Sequence, residues 1–234
     1  MKPMQIALSS VRFAISTCAK FAPHTLPVIT NSLFAAGIAA EQILIVNGGK
    51  KQEFASSFNG ISMLCVQQNS FEYTPLIEVV ERGLESPYWF LLHDTCFAGP
   101  RFGELVVQLP TDTPKKVAMK RTPSMSIGLY ESSYLFHHKD RLLAIKNMDS
   151  SPQALQAWKQ WGVPNEDYML WKLTDEPTPV YHPDLHGPDE WNYQGHADPY
   201  DTGKQRRIEY FPQLDLYKAK SNWQGVQPHL CIDI

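Results

Sequence analysis

The chain has 234 residues, of which 43% are hydrophobic, and a net charge of −3 at pH 7. That length fits one large α/β domain or one domain with a sizeable extension, and the composition supports a packed core and excludes wholesale disorder. With no lysine-rich block, duplex nucleic acid is disfavoured as the main partner, because such binding relies on a concentrated basic surface.

The N-terminal stretch MKPMQIALSSVRFAISTCAK is apolar but broken by Arg12. It is too short to span a bilayer and no cleavage-site pattern follows it, so it reads as a leader plus the first core strand. That strand is Phe13-Ala14-Ile15-Ser16-Thr17, an apolar run ending in small polar residues. Thr25 offers an N-cap with Pro27 in the first turn; Leu26, Ile29, Leu33 and Phe34 recur at helical spacing, and Gly37 ends the helix. Gln42 to Val46 is a buried strand stopped by Asn47-Gly48-Gly49, and Ile61 to Val66 is a third strand. Pro75 to Arg82 reads as a helix with Leu76, Val79 and Val80 on one face and Gly83 at its end. Tyr88 to Leu92 is a fourth strand, apolar throughout, running into His93-Asp94-Thr95.

Further on, Leu155, Trp158 and Trp161 place a helix over Ser151 to Gly162, and a short helix follows over Tyr168 to Leu173. From Asp175 to Arg207 the chain is rich in Pro, Gly, His and Asp with little periodicity, as in a lid or binding loop. No later segment reaches transmembrane length, and there is no internal repeat or low-complexity tract. The four cysteines, Cys18, Cys65, Cys96 and Cys231, show no CxxC spacing, which argues against a zinc site. Three of them sit in apolar strand-like runs, so reduced core thiols and a cytoplasmic setting are expected. His182, His186 and His196 match no compact zinc motif, and His137 and His138 read as surface or loop residues.

Continuous apolar strands separated by helices predict a mainly parallel sheet covered on both faces. Ligands bind outside the carboxyl ends of such strands. Three strand ends carry polar or glycine residues, Ser16-Thr17, Asn47-Gly48-Gly49 and His93-Asp94-Thr95, and they are expected to converge on one crevice.

The order of these motifs resembles the GT-A fold of nucleotide-sugar glycosyltransferases, in particular the family 2-like group. ISTCAKFAPHTLPVITNSLFAAGI is similar to that family's first strand and helix, and QILIVNGG to its second strand. WFLLHDTCF falls where the family carries its DxD metal motif, SIGLYESSYL resembles the acceptor-site segment, and NEDYMLWKL resembles the ED motif that begins a helix. The likeness runs from Phe13 to Leu173. Asn47 stands where the family has an acid, and His93-Asp94-Thr95 keeps a single carboxylate. The fold implied is α/β, a GT-A-like (Rossmann-like) mainly parallel sheet flanked by helices, with a core over 1–174 and an irregular C-terminal extension or lid over 175–234.

The resemblance implies transfer of a sugar from a nucleoside-diphosphate sugar to a glycan or other hydroxyl acceptor. Such chemistry must neutralise the leaving diphosphate, deprotonate the acceptor and exclude water. Asp94 is the candidate metal ligand for Mn²⁺ or Mg²⁺, with His93 beside it as a second ligand or its support; the other reading is a turn cap for Asp94 and a structural histidine for His93. Asp167, or Glu166 next to it, is the candidate general base of an inverting reaction, although acids at a helix start also complement the dipole. Thr17 and Asn47 are candidate nucleotide contacts. Lys204, Arg206 and Arg207 are candidate diphosphate clamps or a solvated basic turn. Trp191 and Trp223 are candidates for stacking on an acceptor sugar. Two rival functions stay open: a sugar nucleotidyltransferase, which would want a basic Gly-rich loop after the first strand where only Lys20 lies, and a catalytically degenerate module that binds sugars or a protein.

Overall fold

The computed structural model describes residues 6–109, 116–118, 127–146, 191–192 and 207–220. The chain enters through strand β1 (Val11–Cys18) and helix α1 (Ala22–Ala35), then β2 (Ile43–Gly48), β3 (Phe54–Phe58) and β4 (Ile61–Cys65). Helix α2 (Thr74–Arg82), β5 (Tyr88–His93), β6 (Cys96–Ala98) and α3 (Phe102–Val106) follow. The remaining elements are β7 (Lys116–Ala118), β8 (Gly128–Glu131), α4 (Ser132–His137), α5 (Lys139–Lys146), β9 (Trp191–Asn192), β10 (Arg207–Phe211) and β11 (Leu216–Lys220).

Seven strands form the main sheet in the order β3-β4-β2-β1-β5-β8-β7. Strands β4, β2, β1 and β5 run parallel, as their apolar sequences demand, while β3 and β8 run opposite to their neighbours β4 and β5. Alternation along each strand divides the core. Phe13 and Ile15 of β1, Ile43 and Ile45 of β2, and Phe90 and Leu92 of β5 pack in one layer with Leu26, Ile29 and Leu33 of α1 and Phe102 of α3. Ala14, Leu44, Val46, Trp89 and Leu91 face the other way, onto Leu76, Val79 and Val80 of α2, Tyr134 of α4 and Leu142 of α5. The result is a mixed, mainly parallel sheet flanked by helices, a Rossmann-like α/β architecture.

Helix α1 starts earlier than its sequence suggests. Phe21 is its N-cap and Thr25 is inside the helix, its hydroxyl 3.0 Å from the Phe21 carbonyl. Thr25 is therefore not the cap, because its side chain is turned to the helix's own backbone and to the sheet. Gly83 ends α2 in the left-handed conformation (φ 64°), as its position after Arg82 predicts. Strand β2 also runs past its expected stop, since Asn47 and Gly48 still pair with Thr17 and Cys18.

A second, four-stranded sheet has the order β6-β11-β10-β9. It begins where β5 ends: after Asp94 and Thr95 the chain passes directly into β6. The amide of Ala98 donates to Ser32 Oγ of α1 at 3.0 Å, which ties β6 to that helix. Strands β10 and β11 form an antiparallel hairpin whose Phe211, Leu214 and Leu216 enter the α1-side core. At its turn Asp215 (φ 51°) accepts a bond from the Arg101 amide at 3.1 Å, and the Gly99 amide donates to the Asp215 carbonyl at 2.6 Å. A Cβ at Gly99 would collide with the Asp215 carboxylate, so a larger residue there would push that side chain off the Arg101 amide.

The described part of the C-terminal extension is therefore a regular hairpin, not irregular chain; its alternation was hidden in a polar, aromatic stretch. The division near residue 174 and the helices expected over Ser151 to Gly162 and Tyr168 to Leu173 lie outside the described residues. Among the described residues no helix is long and apolar enough to cross a membrane.

Candidate functional site at the carboxyl edge

Strand β1 lies at the centre of the sheet, and the chain leaves it in both directions: first to β2 on one side, later to β5 on the other. This reversal opens a crevice at the carboxyl ends of β1 and β5, the place where open α/β sheets hold ligands. Register brings the three predicted strand ends together. Thr17 is paired with Asn47, Ser16 with His93, and the Asp94 amide continues the ladder by donating to the Ser16 carbonyl at 3.0 Å.

Alternation then sorts the side chains. Thr17 is in phase with Phe13 and Ile15, Asn47 with Ile43 and Ile45, and Asp94 with Phe90 and Leu92, so all three lie on the face that carries α1. His93 is in phase with Trp89 and Leu91 and lies on the α2 face. Neighbours in sequence are thus separated by the thickness of the sheet, and His93 is not positioned to share a ligand with Asp94.

Asp94 is the centre of the site. It is 8% exposed, and its Oδ2 accepts from the Thr17 hydroxyl at 2.6 Å and the Thr25 hydroxyl at 2.9 Å. Thr25 Oγ1 carries one proton and has two acceptors in reach, Asp94 Oδ2 and the Phe21 carbonyl. The hydroxyl so ties the Asp94 carboxyl to the first turn of α1. Burial pushes the Asp94 carboxyl above the ordinary carboxylate range, while the Thr17 and Thr25 hydroxyls and the charge of Lys218 pull it back.

Lys218 comes from β11, where it pairs in register with Cys96, two residues past Asp94. It is 8% exposed and in phase with the fully buried Leu216. The site therefore has two members that sequence reasoning did not assign to it, Thr25 and Lys218. A lysine two places from a core leucine on a strand was the available signal for the second. For Thr25 the signal was a small polar residue between apolar helix positions.

The rim beyond Asn47 is closed by backbone. The amide of Gly49 donates to the Gln68 carbonyl at 3.1 Å, and a Cβ on Gly48 would stand 2.8 Å from that same oxygen. Asn47 is 3% exposed, and its Oδ1 accepts no hydrogen bond. A buried carbonyl-type oxygen without a donor is costly unless a ligand or water supplies one.

The donor set around Asp94 does not fit a resident Mn²⁺ or Mg²⁺. Such ions need several hard oxygen ligands, whereas one oxygen of this carboxylate already takes two hydroxyls and a lysine charge lies nearby. Among the described residues no group of three His, Cys, Asp or Glu side chains is placed to hold a metal. Glu166, Asp167, Lys204 and Arg206 lie outside the described residues, as does Trp223. Arg207 is the first residue of β10, opposite Lys220 of β11. Cys18, Cys65 and Cys96 form no disulfide. No protein-family model matches the chain, and no curated protein matches it significantly.

A carboxyl whose folded-state pKa lies above its unfolded value holds its proton more tightly in the native chain. Its contribution to stability is then greatest below the unfolded pKa, about 4, and declines as pH rises from there through the raised folded value. The melting temperature of the wild type relative to Asp94→Asn is therefore expected to fall as pH climbs above about 4. Thermal unfolding of both proteins over a pH series measures this, and parallel curves would show that Asp94 does not titrate differently in the two states.

Proposed function

We propose that the protein is a glycosyltransferase of the GT-A type, moving a sugar from a nucleoside-diphosphate sugar to a glycan or other hydroxyl acceptor. The observation that carries this reading is the placement of Thr17, Asn47 and Asp94 on one face of the sheet's carboxyl edge, at the switch point between β1 and β5. Nucleotide binding is the general use of that place in the architecture. In this reading Thr17 and Asn47 meet the nucleoside, and the donor-seeking Oδ1 of Asn47 takes an N–H or O–H of the base or ribose. Lys204, Arg206 and Arg207 neutralise the leaving diphosphate, and Asp167 or Glu166 removes the acceptor proton in an inverting displacement. The motif order from Phe13 to Leu173 supplies the role of Asp167 or Glu166, and the fork geometry of guanidinium on phosphate that of the basic segment.

One observation favours a second reading, a binding module without transfer activity. Asp94 is held by side chains of two elements, β1 and α1, with the charge of Lys218 from β11 acting on it, and so serves the fold whether or not a ligand is present. Isothermal titration with UDP-, GDP-, CDP- and dTDP-sugars separates the possibilities. One donor class is expected to bind with a Kd of about 1 mM or tighter. Asn47→Ala is expected to weaken it about tenfold, the worth of one buried hydrogen bond. Binding without turnover of any donor selects the module, and no binding to any of them removes the transferase.

A further inference from the structure

A buried lysine lies close enough to Asp94 for its charge to act on the carboxyl. Lys218 projects from β11 on the same side as Leu216, which is fully buried, and its register partner Cys96 follows Asp94 by two residues. The lysine is itself more than nine-tenths buried, in a chain whose other described lysines are mostly exposed or half-buried. The carboxylate it serves is not free to turn toward a metal, because Thr17 holds Oδ2 from β1 and Thr25 holds it from α1. No second carboxylate stands at the strand end, where the sequence reads His93-Asp94-Thr95-Cys96, and His93 is on the opposite face of the sheet.

We infer that Lys218 is the resident cation of the carboxyl-edge site: seated by β11 beside Asp94, it takes the charge role that a divalent ion would otherwise fill. The site then accepts a nucleoside diphosphate without Mn²⁺ or Mg²⁺. A fixed ammonium in a partly dry site balances the buried carboxylate and leaves the edge near neutral, so that an anionic ligand meets no repulsion from Asp94. A second consequence concerns architecture. The hairpin that carries Lys218 is held to the β6–α3 turn through Gly99, Arg101 and Asp215, so the cation is delivered by the second sheet and not by the main one.

The nucleotide part of this inference rests on the proposed function; the metal part does not, and the experiment keeps them apart. The full chain is titrated with UDP and with GDP, once in EDTA and once in saturating Mn²⁺, and Mn²⁺ uptake by the nucleotide-free protein is followed by electron paramagnetic resonance. Wild type is expected to bind one nucleotide with Kd values agreeing within about twofold in the two buffers. It is also expected to take up no Mn²⁺ that Asp94→Asn abolishes. Lys218→Met is expected to weaken nucleotide binding about tenfold in EDTA and in Mn²⁺ alike, since Thr17 and Thr25 still hold the Asp94 carboxylate. Nucleotide binding that disappears in EDTA, or Asp94-dependent Mn²⁺ uptake by wild type, overturns the inference. If neither nucleotide binds in either buffer, the proposed function fails, and the resonance spectrum alone decides for or against Lys218. Should Lys218→Met fail to fold by circular dichroism, the wild-type and Asp94→Asn measurements still decide.

Discussion

Asp94→Ala is expected to destabilise the protein by about 3–5 kcal/mol, because it strips two buried hydroxyls of their acceptor and truncates a buried side chain. The loss has three parts. The Lys218 charge remains in a buried position beside a site that no longer holds a carboxylate. The hydroxyls of Thr17 and Thr25 lose the acceptor they share, and both residues are buried. The truncation also leaves space where β5 hands the chain to β6. Asp94→Asn keeps an oxygen for the threonines and nearly the same volume, so its loss is expected to be smaller, about 1–2 kcal/mol. Urea unfolding of the two variants measures both numbers. Equal and small losses would show that the carboxyl is not a junction of β1, α1 and β11, and would return it to the role of a ligand-facing group.

The second large effect is expected at the opposite end of β5. Trp89→Ala should destabilise the fold by about 3–5 kcal/mol, as for other fully buried aromatic truncations. Trp89 is wholly buried, pairs in register with Arg12 of β1 and Tyr130 of β8, and packs in the layer with Tyr134 and Leu135. The Arg12 guanidinium lies over its ring, 4.9 Å from the centroid, and partial burial holds the Arg12 pKa below its usual value. Removing the ring takes away both the packing and the aromatic face beneath that cation. Trp89 is five residues, about 16 Å, from Asp94 along the strand. Nucleotide affinity measured below the unfolding transition should therefore be unchanged in Trp89→Ala. A parallel loss of affinity would mean that the carboxyl edge is coupled to this layer.

Much of the main sheet was legible because its strands announce themselves. Ile43-Leu44-Ile45-Val46 and Trp89-Phe90-Leu91-Leu92 are apolar on both sides, as strands covered on two faces must be. Helix α2 was equally clear, with its apolar stripe and Gly83 stop. Strand β3 was not, because Phe54-Ala55-Ser56-Ser57 is exposed and lacks a core pattern. Its signal was the Asn59-Gly60 turn, where both residues have positive φ (48° and 80°), the conformation of a tight hairpin. Strands β7 and β8 are short, and the pairing of β8 with β5 is decided by contacts distant in sequence.

The sequence by itself determined the mainly parallel sheet and which three polar strand ends meet at its edge. Local apolarity and helix punctuation are sufficient for that, since parallel strands joined by helices end on the same side. The tertiary structure decided what the edge is made of. It put Asp94 on the α1 face and His93 on the other, because strand neighbours point in opposite directions. It brought Thr25 from within a helix and Lys218 from a hairpin 124 residues further along onto the same carboxylate's surroundings. No local pattern encodes such pairings. They arise because a buried carboxyl must find donors, and only the folded chain settles which ones are within reach.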